Sequence, residues 1–255
     1  MALTQAQAQA QADEPSRADA QALVDDGPDK PLLDLLVDDA QHLTVVGAFN
    51  LALRSSDGGQ QWQVISHQFD NPNRLHLYGI TRLGGLPGTR LPDARLVSVG
   101  EQATVLTQAG EDSLKAVKAP YEGSFFGVLT TGDQTLLIYG LRGNAFVSPD
   151  AGNTWEPAQV QGGGASLNTA LRLKDGRVLM GDQGGNVFLS TDQGAPFTRL
   201  AFGWGAPLTG MAETADGSVV LSSLAGLTAL PAATLAIASV HPASIDPAAV
   251  PPAKP

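Results

Sequence analysis

The sequence has no cysteine. That excludes disulfides, thiolate metal sites and a cysteine nucleophile. Charged side chains are sparse, at 16% of the 255 residues, while glycine is abundant at 29. Both fit a chain of many short strands joined by tight turns. No run approaches the roughly 20 apolar residues of a membrane-spanning helix, so the chain is not expected to insert into a membrane by itself. The four histidines, His42, His67, His76 and His241, show no metal-ligand spacing. The H-E-x-x-H, G-x-S-x-G, phosphate-loop and dinucleotide fingerprints are all missing. Neither a metal nor a cofactor is expected. A net charge of −10 argues against a nucleic-acid-binding face. That charge is uneven, because residues 1–40 hold nine acidic and two basic side chains. The remainder is close to balanced.

What is present is an octet, S-x-D-x-G-x-x-W. It stands at Ser55, Asp57, Gly59 and Trp62, and again at Ser148, Asp150, Gly152 and Trp155. A third copy has Ser190, Asp192, Gly194 and Phe197, with Phe in the Trp place. Serine and aspartate side chains hold turns by bonding nearby backbone N–H groups. Glycine supplies the left-handed conformation of a tight turn. The aromatic falls on the returning strand and offers a large body to bury. Each copy follows an alternating apolar run, so each reads as a stapled β-hairpin.

Five repeats are visible between Pro31 and Val240. The second carries a decayed octet, with Thr107, Ala109, Glu111 and Leu114 in the Ser, Asp, Gly and Trp places. The fifth carries none, and its fourth strand is expected over Thr234 to Val240. Equivalent positions 55, 107, 148 and 190 lie about 40 to 50 residues apart, the period of a four-stranded propeller blade. The second strand of most units ends in glycine, as expected where inner strands crowd or bend. Residues 1–30 are Ala-, Gln- and Asp-rich without an apolar period, and read as a disordered leader. Within them Gln21 to Val24 suit a short strand or a helical turn, and as an outer strand residues 20–25 would close the ring. Residues 241–255 read as an extended Pro-rich tail. The Ala-Gln-Ala runs near the start have the small-x-small form that flanks a secretory cleavage site. They set the expectation of an exported, periplasmic protein.

The octets resemble the Asp-box, or BNR repeat, carried mostly by β-propellers. The stretch from Gly140 to Trp155 is similar to the photosystem II stability/assembly factor-like family, and the resemblance covers roughly residues 31–235. It implies an all-β propeller of four-stranded antiparallel blades, five of them visible, with six or seven allowed. It also implies that the octets are scaffold. In the photosynthetic members an Arg-lined surface binds a photosystem subunit. Relatives in non-photosynthetic bacteria resemble exported accessory proteins of envelope transporters of the resistance-nodulation-division type. The function so implied is a non-catalytic accessory or assembly factor whose partner is an integral membrane protein or transporter complex.

In a propeller the octet hairpins lie on one face. The turns between second and third strands, and the connections between blades, lie on the other. That second face gathers Phe49, Arg74, Tyr121, Arg142, Asp182 and Trp204, residue types enriched at interface hot spots. These six are the candidate partner contacts. The alternative reading is a glycan-binding or glycoside-hydrolysing propeller. A sialidase needs three arginines on the substrate carboxylate, a Tyr/Glu pair and an Arg-Ile-Pro motif, and that motif is missing here. A carboxylate-pair glycosidase needs two acids facing one groove. Asp182 and Glu122 are the loop acids available for that role, and nothing in the sequence pairs them.

Overall fold

The computed structural model describes residues 14–84, 94–110 and 113–240. Residues 1–13 of the leader, residues 85–93, residues 111–112 with the Glu111 octet place, and the tail 241–255 lie outside the described residues.

Alternation of apolar residues between turn signals produces nineteen short strands among the described residues, β1 to β19. Blade one holds β1 (Leu32–Val37), β2 (Leu43–Gly47), β3 (Ala52–Ser55) and β4 (Gln63–Val64). Blade two holds β5 (Leu77–Leu83), β6 (Arg95–Gly100), β7 (Val105–Gln108) and β8 (Leu114–Ala116). Blade three holds β9 (Phe125–Thr130), β10 (Leu136–Gly140), β11 (Ala145–Ser148) and β12 (Glu156–Pro157). Blade four holds β13 (Leu167–Arg172), β14 (Val178–Asp182), β15 (Asn186–Ser190) and β16 (Thr198–Gly203). Blade five holds β17 (Leu208–Glu213), β18 (Val219–Ser223) and β19 (Gly226–Leu230). Every sheet is an antiparallel meander in chain order. The fold is therefore a five-bladed β-propeller.

Blades stack face to face, and their facing side chains make the core. Leu36, Val46, Ile80 and Leu106 meet between blades one and two. Val97, Val99, Phe125 and Ile138 meet between two and three. Leu137, Tyr139, Met180 and Phe188 meet between three and four. Leu179, Leu189, Leu208 and Leu221 meet between four and five. Polar ties run across the same seams. Arg82 Nη2 donates to Asp38 Oδ2 at 2.6 Å, and Thr130 Oγ1 donates to the Arg82 carbonyl at 2.9 Å.

The second-strand glycines have a steric cause. A side-chain carbon at Gly47, Gly100 or Gly140 would collide with the carbonyl oxygen of Pro31, His76 or Ser124, where the same blade's first strand enters. The pairing of first and second strands is irregular there in each of these blades.

The octet turns are built as their residue types require. The Gly59 N–H donates to Ser55 Oγ at 2.9 Å and the Gln61 N–H to Asp57 Oδ1 at 2.9 Å. In blade three the Gly152 N–H donates to Ser148 Oγ at 2.7 Å and the Thr154 N–H to Asp150 Oδ1 at 2.8 Å. In the third copy the Asp192 N–H donates to Ser190 Oγ at 3.2 Å. Gly59, Gly152 and Gly194 all have positive φ, at 87°, 89° and 105°. Trp62 and Trp155 pack against the blade cores, and Phe197 is fully buried.

Two expectations need correction. The sequence reads the leader as mostly disordered, with a short strand or a helical turn at Gln21 to Val24. Instead α1 spans Glu14–Asp26, and its Ala20 and Leu23 are buried with Val45, Leu51, Leu53 and Val64 of blade one. Ala-rich sequence with Pro15 in the first turn favours helix, and the open side of blade one supplies the apolar surface. The fourth strand expected over Thr234 to Val240 is also a helix, α2 (Ala232–Val240), following Pro231. Its Leu235 is buried in the core between blades four and five, where a strand side chain would otherwise sit.

The inner strands β1, β5, β9, β13 and β17 pack each against the next. No comparable contact joins β17 to β1, so among the described residues the ring is open between blades five and one.

Several exposed turn carboxylates set the response to acid. Backbone N–H groups of Gln41 and His42, then the His42 ring, lower Asp39 from 3.8 to about 2. Hydrogen bonds likewise lower Asp57, Asp150, Asp175 and Asp216. These groups stabilise the fold above the unfolded value of 3.8, and the contribution is lost as pH falls toward about 2. Asp34 has the opposite sign, since burial raises it against the N–H bonds from Ile80 and Leu35. Its contribution falls as pH rises above the unfolded value. Urea unfolding at stepped pH should show stability dropping in the acid range, with a shallower drop in Asp39→Asn. In Asp34→Asn the slope just above the unfolded carboxylate value should become more positive.

Candidate functional site

In a four-stranded meander the second-to-third-strand turns and the connections between blades share one end. Backbone bonds tie these parts together. The Ala48 N–H donates to the Pro31 carbonyl, the Glu101 N–H to His76, the Leu141 N–H to Ser124 and the Gln183 N–H to Ser166, at 2.9 to 3.0 Å. Each turn is thus fastened to the entry of its own blade. A second bond reaches the next blade. The Asn50 N–H donates to the Leu75 carbonyl, the Ala103 N–H to Gly123, and the Arg142 N–H to Ser166 Oγ.

The tips of these turns carry an unusual backbone. Phe49 (φ 55°) with Asn50 (φ 64°), Gln102 (φ 48°) with Ala103 (φ 64°), and Arg142 (φ 60°) with Gly143 (φ 73°) form consecutive left-handed pairs. Each is closed by an i to i+3 bond, Leu51 to Ala48, Thr104 to Glu101 and Asn144 to Leu141. These are type I′ turns, whose first central place favours Asn, Asp or Gly. A larger side chain there costs about 1–2 kcal/mol. Phe49, Gln102 and Arg142 occupy that place and are exposed. The hairpin does not call for their side chains, so strain at these tips points to a role for the exposed groups. Arg142→Gly is expected to raise the unfolding free energy by about 0.5–1 kcal/mol. Arg142→Ala should give no such gain, since Ala keeps the strain. Urea titration distinguishes the two.

Beside the tips runs a line of rings across blades one to three. Phe49 lies 4.7 Å from His76, His76 lies 6.1 Å from Tyr78, and Tyr78 meets Phe126 edge-on at 5.7 Å. His76 Nε2 is 3.9 Å from Glu101. Arg74, in a left-handed position at φ 51°, places its guanidinium 3.6 Å from Asp19 of α1. A polar depression of about 500 Å³ opens next to it, lined by Asn50, His67, Asp70, Asn71, Arg74 and Lys115 among others.

The structure distributes the six predicted contacts unevenly. Phe49 is 50% exposed and Arg142 is exposed at its tip. Arg74 is exposed but shared with α1. Tyr121 packs against the core between blades two and three, stacked near Phe146 at 6.5 Å. Trp204 packs against the core between blades four and five, and its Nε1 donates to Ser223 Oγ at 2.8 Å. Asp182 is the correction. It is 1% exposed, and its carboxylate accepts from the Asn186 N–H and Nδ2 at 2.8 Å each. Those bonds consume it in holding the blade-four turn. His76, Tyr78 and Gln102 were missed as candidates. The G-x-x-x turn aligned across blades would have found Gln102, and the aromatic-rich run His76-Leu77-Tyr78 the other two.

Among the described residues no group of three or more His, Cys, Asp or Glu is placed to hold a metal ion. No described helix is long and apolar enough to cross a membrane.

No family model matches the sequence, and no curated protein matches it. Solved structures do. YCF48 bound to a D1 peptide is 17% identical, with a TM-score of 0.57 over 76% of this chain and 60% of that one. YCF48 from Cyanidioschyzon merolae is 14% identical, with a TM-score of 0.58 over 79% of this chain and 67% of that one. An ancestral GH74 enzyme is 14% identical, with a TM-score of 0.57 over 75% of this chain and 27% of that one. The chain thus spans about three fifths of the length of the first. At these identities the likeness is one of fold.

Proposed function

We propose that this chain is a non-catalytic accessory factor that binds a membrane-protein complex of the bacterial envelope from the periplasmic side. The partner class is an integral membrane protein, with a resistance-nodulation-division type transporter as the specific candidate. One observation carries the reading. Exposed Phe49, Gln102 and Arg142 occupy strained turn tips whose geometry would be better served by small residues. An aromatic and a guanidinium so placed are interface anchors. The similarity to a YCF48 structure with a bound D1 peptide supports the same reading. Asp182 is buried in its own turn and is not available as half of a catalytic carboxylate pair.

The glycan alternative rests on the ring line Phe49, His76, Tyr78 and Phe126, since aromatic faces also stack on sugars. A single experiment separates the two. The wild type and a Phe49→Ala/Arg142→Ala variant are used to capture proteins from detergent-solubilised envelope, with mass spectrometry as readout. An integral membrane protein recovered with the wild type and lost with the variant supports the proposal. Retention on polysaccharide with no such protein recovered overturns it in favour of the glycan alternative.

A further inference from the structure

Blades two to five each turn one face toward the preceding blade. The matching rows are Ile80 with Ser98 and Leu106, Val128 with Ile138 and Phe146, Ala170 with Met180 and Phe188, and Met211 with Leu221 and Thr228. All of these are covered by a neighbouring blade. Blade one has the same face, in which Leu35 pairs with Val45, Val45 with Leu53, and Leu53 with Val64. Among the described residues no blade packs on that face. Helix α1 covers the outer half by burying Ala20 and Leu23 there. The inner half is bare, with Leu33, Leu35 and Val37 exposed at 41%, 52% and 47%. Leu35 and Val37 alternate along β1 and project from one side of it, and Leu33 lies beside them at the irregular step between Leu32 and Asp34.

Both ends of this stripe are acidic. Asp25 and Asp26 end α1, and Asp29 follows, all exposed, where the chain enters β1. Asp39 stands just past Val37 at the other end, with His42 against it. Lys30 is held by Asp26 and Asp29, and Asp38 is taken by Arg82. Residues 14–40 contain eight acidic and two basic side chains. The face therefore repels a second copy of itself laid against it, and it attracts cations.

We infer that the bare half of blade one's leading face is a docking surface for an extended segment of a partner protein, apolar at alternate positions and flanked by lysine or arginine. The segment lies over Leu33, Leu35 and Val37 as a preceding blade would, and its basic ends meet the acidic ends of the stripe. Phe49 borders the acidic end at Asp26 and Lys30, but the stripe itself is built from β1 and does not depend on the function proposed for the turn tips.

The test uses the full chain and a labelled probe peptide of alternating leucine and threonine with two lysines at each end. Controls are the same peptide with glutamate ends and a lysine-ended peptide of scrambled order. Fluorescence anisotropy is expected to show binding of the first alone, weakened by raised salt. Leu35→Asp should weaken it about tenfold or more, and Arg142→Ala should leave it unchanged. Leu35 is half exposed, so the variant should fold. Leu33→Ser serves as the second variant, and thermal melting checks both. Equal binding of the glutamate-ended or scrambled peptide, or binding insensitive to Leu35→Asp and Leu33→Ser, overturns the proposal. So does failure of the lysine-ended probe to bind. Sedimentation showing that the chain dimerises through Leu35 would make a second copy the occupant and also overturn it.

Discussion

Asp38→Ala is expected to destabilise the protein by about 3–5 kcal/mol. Asp38 accepts two bonds from Arg82, through Nε and Nη2, and the side chains are only 5% and 11% exposed. Removing the carboxylate leaves a guanidinium in a seam between blades one and two. Its remaining bond, from Nη1 to the Ala94 carbonyl, is long at 3.4 Å. The stranded charge dominates the loss, so the pair itself is worth much less than the single variant suggests. The double variant Asp38→Ala/Arg82→Met should therefore recover a large part of the stability. Urea unfolding of both variants checks this, and equal loss in the two would contradict the assignment to a stranded charge.

The second large effect is expected at Phe188. Its ring is fully buried between blades three and four, among Leu137, Tyr139, Met180 and Phe197. Phe188→Ala removes most of that contact and leaves a cavity that two stacked sheets cannot easily close. The expected loss is about 3–5 kcal/mol. Phe188→Leu keeps most of the volume and should lose much less. Thermal or urea unfolding ranks the two. A loss as large for Leu as for Ala would mean that ring shape, rather than filled volume, holds this seam.

Much of this architecture was legible in the sequence. The octets announced their turns because the chemistry is local. Ser148 and Asp150 find their partners within a few residues. Strands were legible wherever apolar alternation ran between turn signals. Less legible were features decided by distant chain. The apolar alternation of Leu75-His76-Leu77-Tyr78 suggests a strand there, yet β5 runs from Leu77 to Leu83, through Gly79. That glycine reads as an interruption, but it lets the Gly127 backbone of blade three approach. Helix α2 was read as a strand because its run from Thr234 to Val240 is short and nearly all apolar, a pattern that suits either element. Helix α1 buries Ala20 and Leu23, too sparse a pattern to recognise without knowing that blade one has an open side. Within the candidate site, Phe49 and Arg142 were identified by their turns. Asp182 was misassigned because a buried acceptor and an exposed contact look alike in sequence. Only the Asn186 bonds distinguish them.

The turn tips have a consequence for redesign. Each is fastened to its surroundings through main-chain N–H groups, such as those of Asn50 and Ala103, rather than through the tip side chain. Positions 49, 102 and 142 therefore behave as exchangeable sockets on a common frame. A combinatorial library at these three places would sample new recognition surfaces at little risk to folding. Glycine-free choices would start from the strained baseline that the native Phe, Gln and Arg already tolerate.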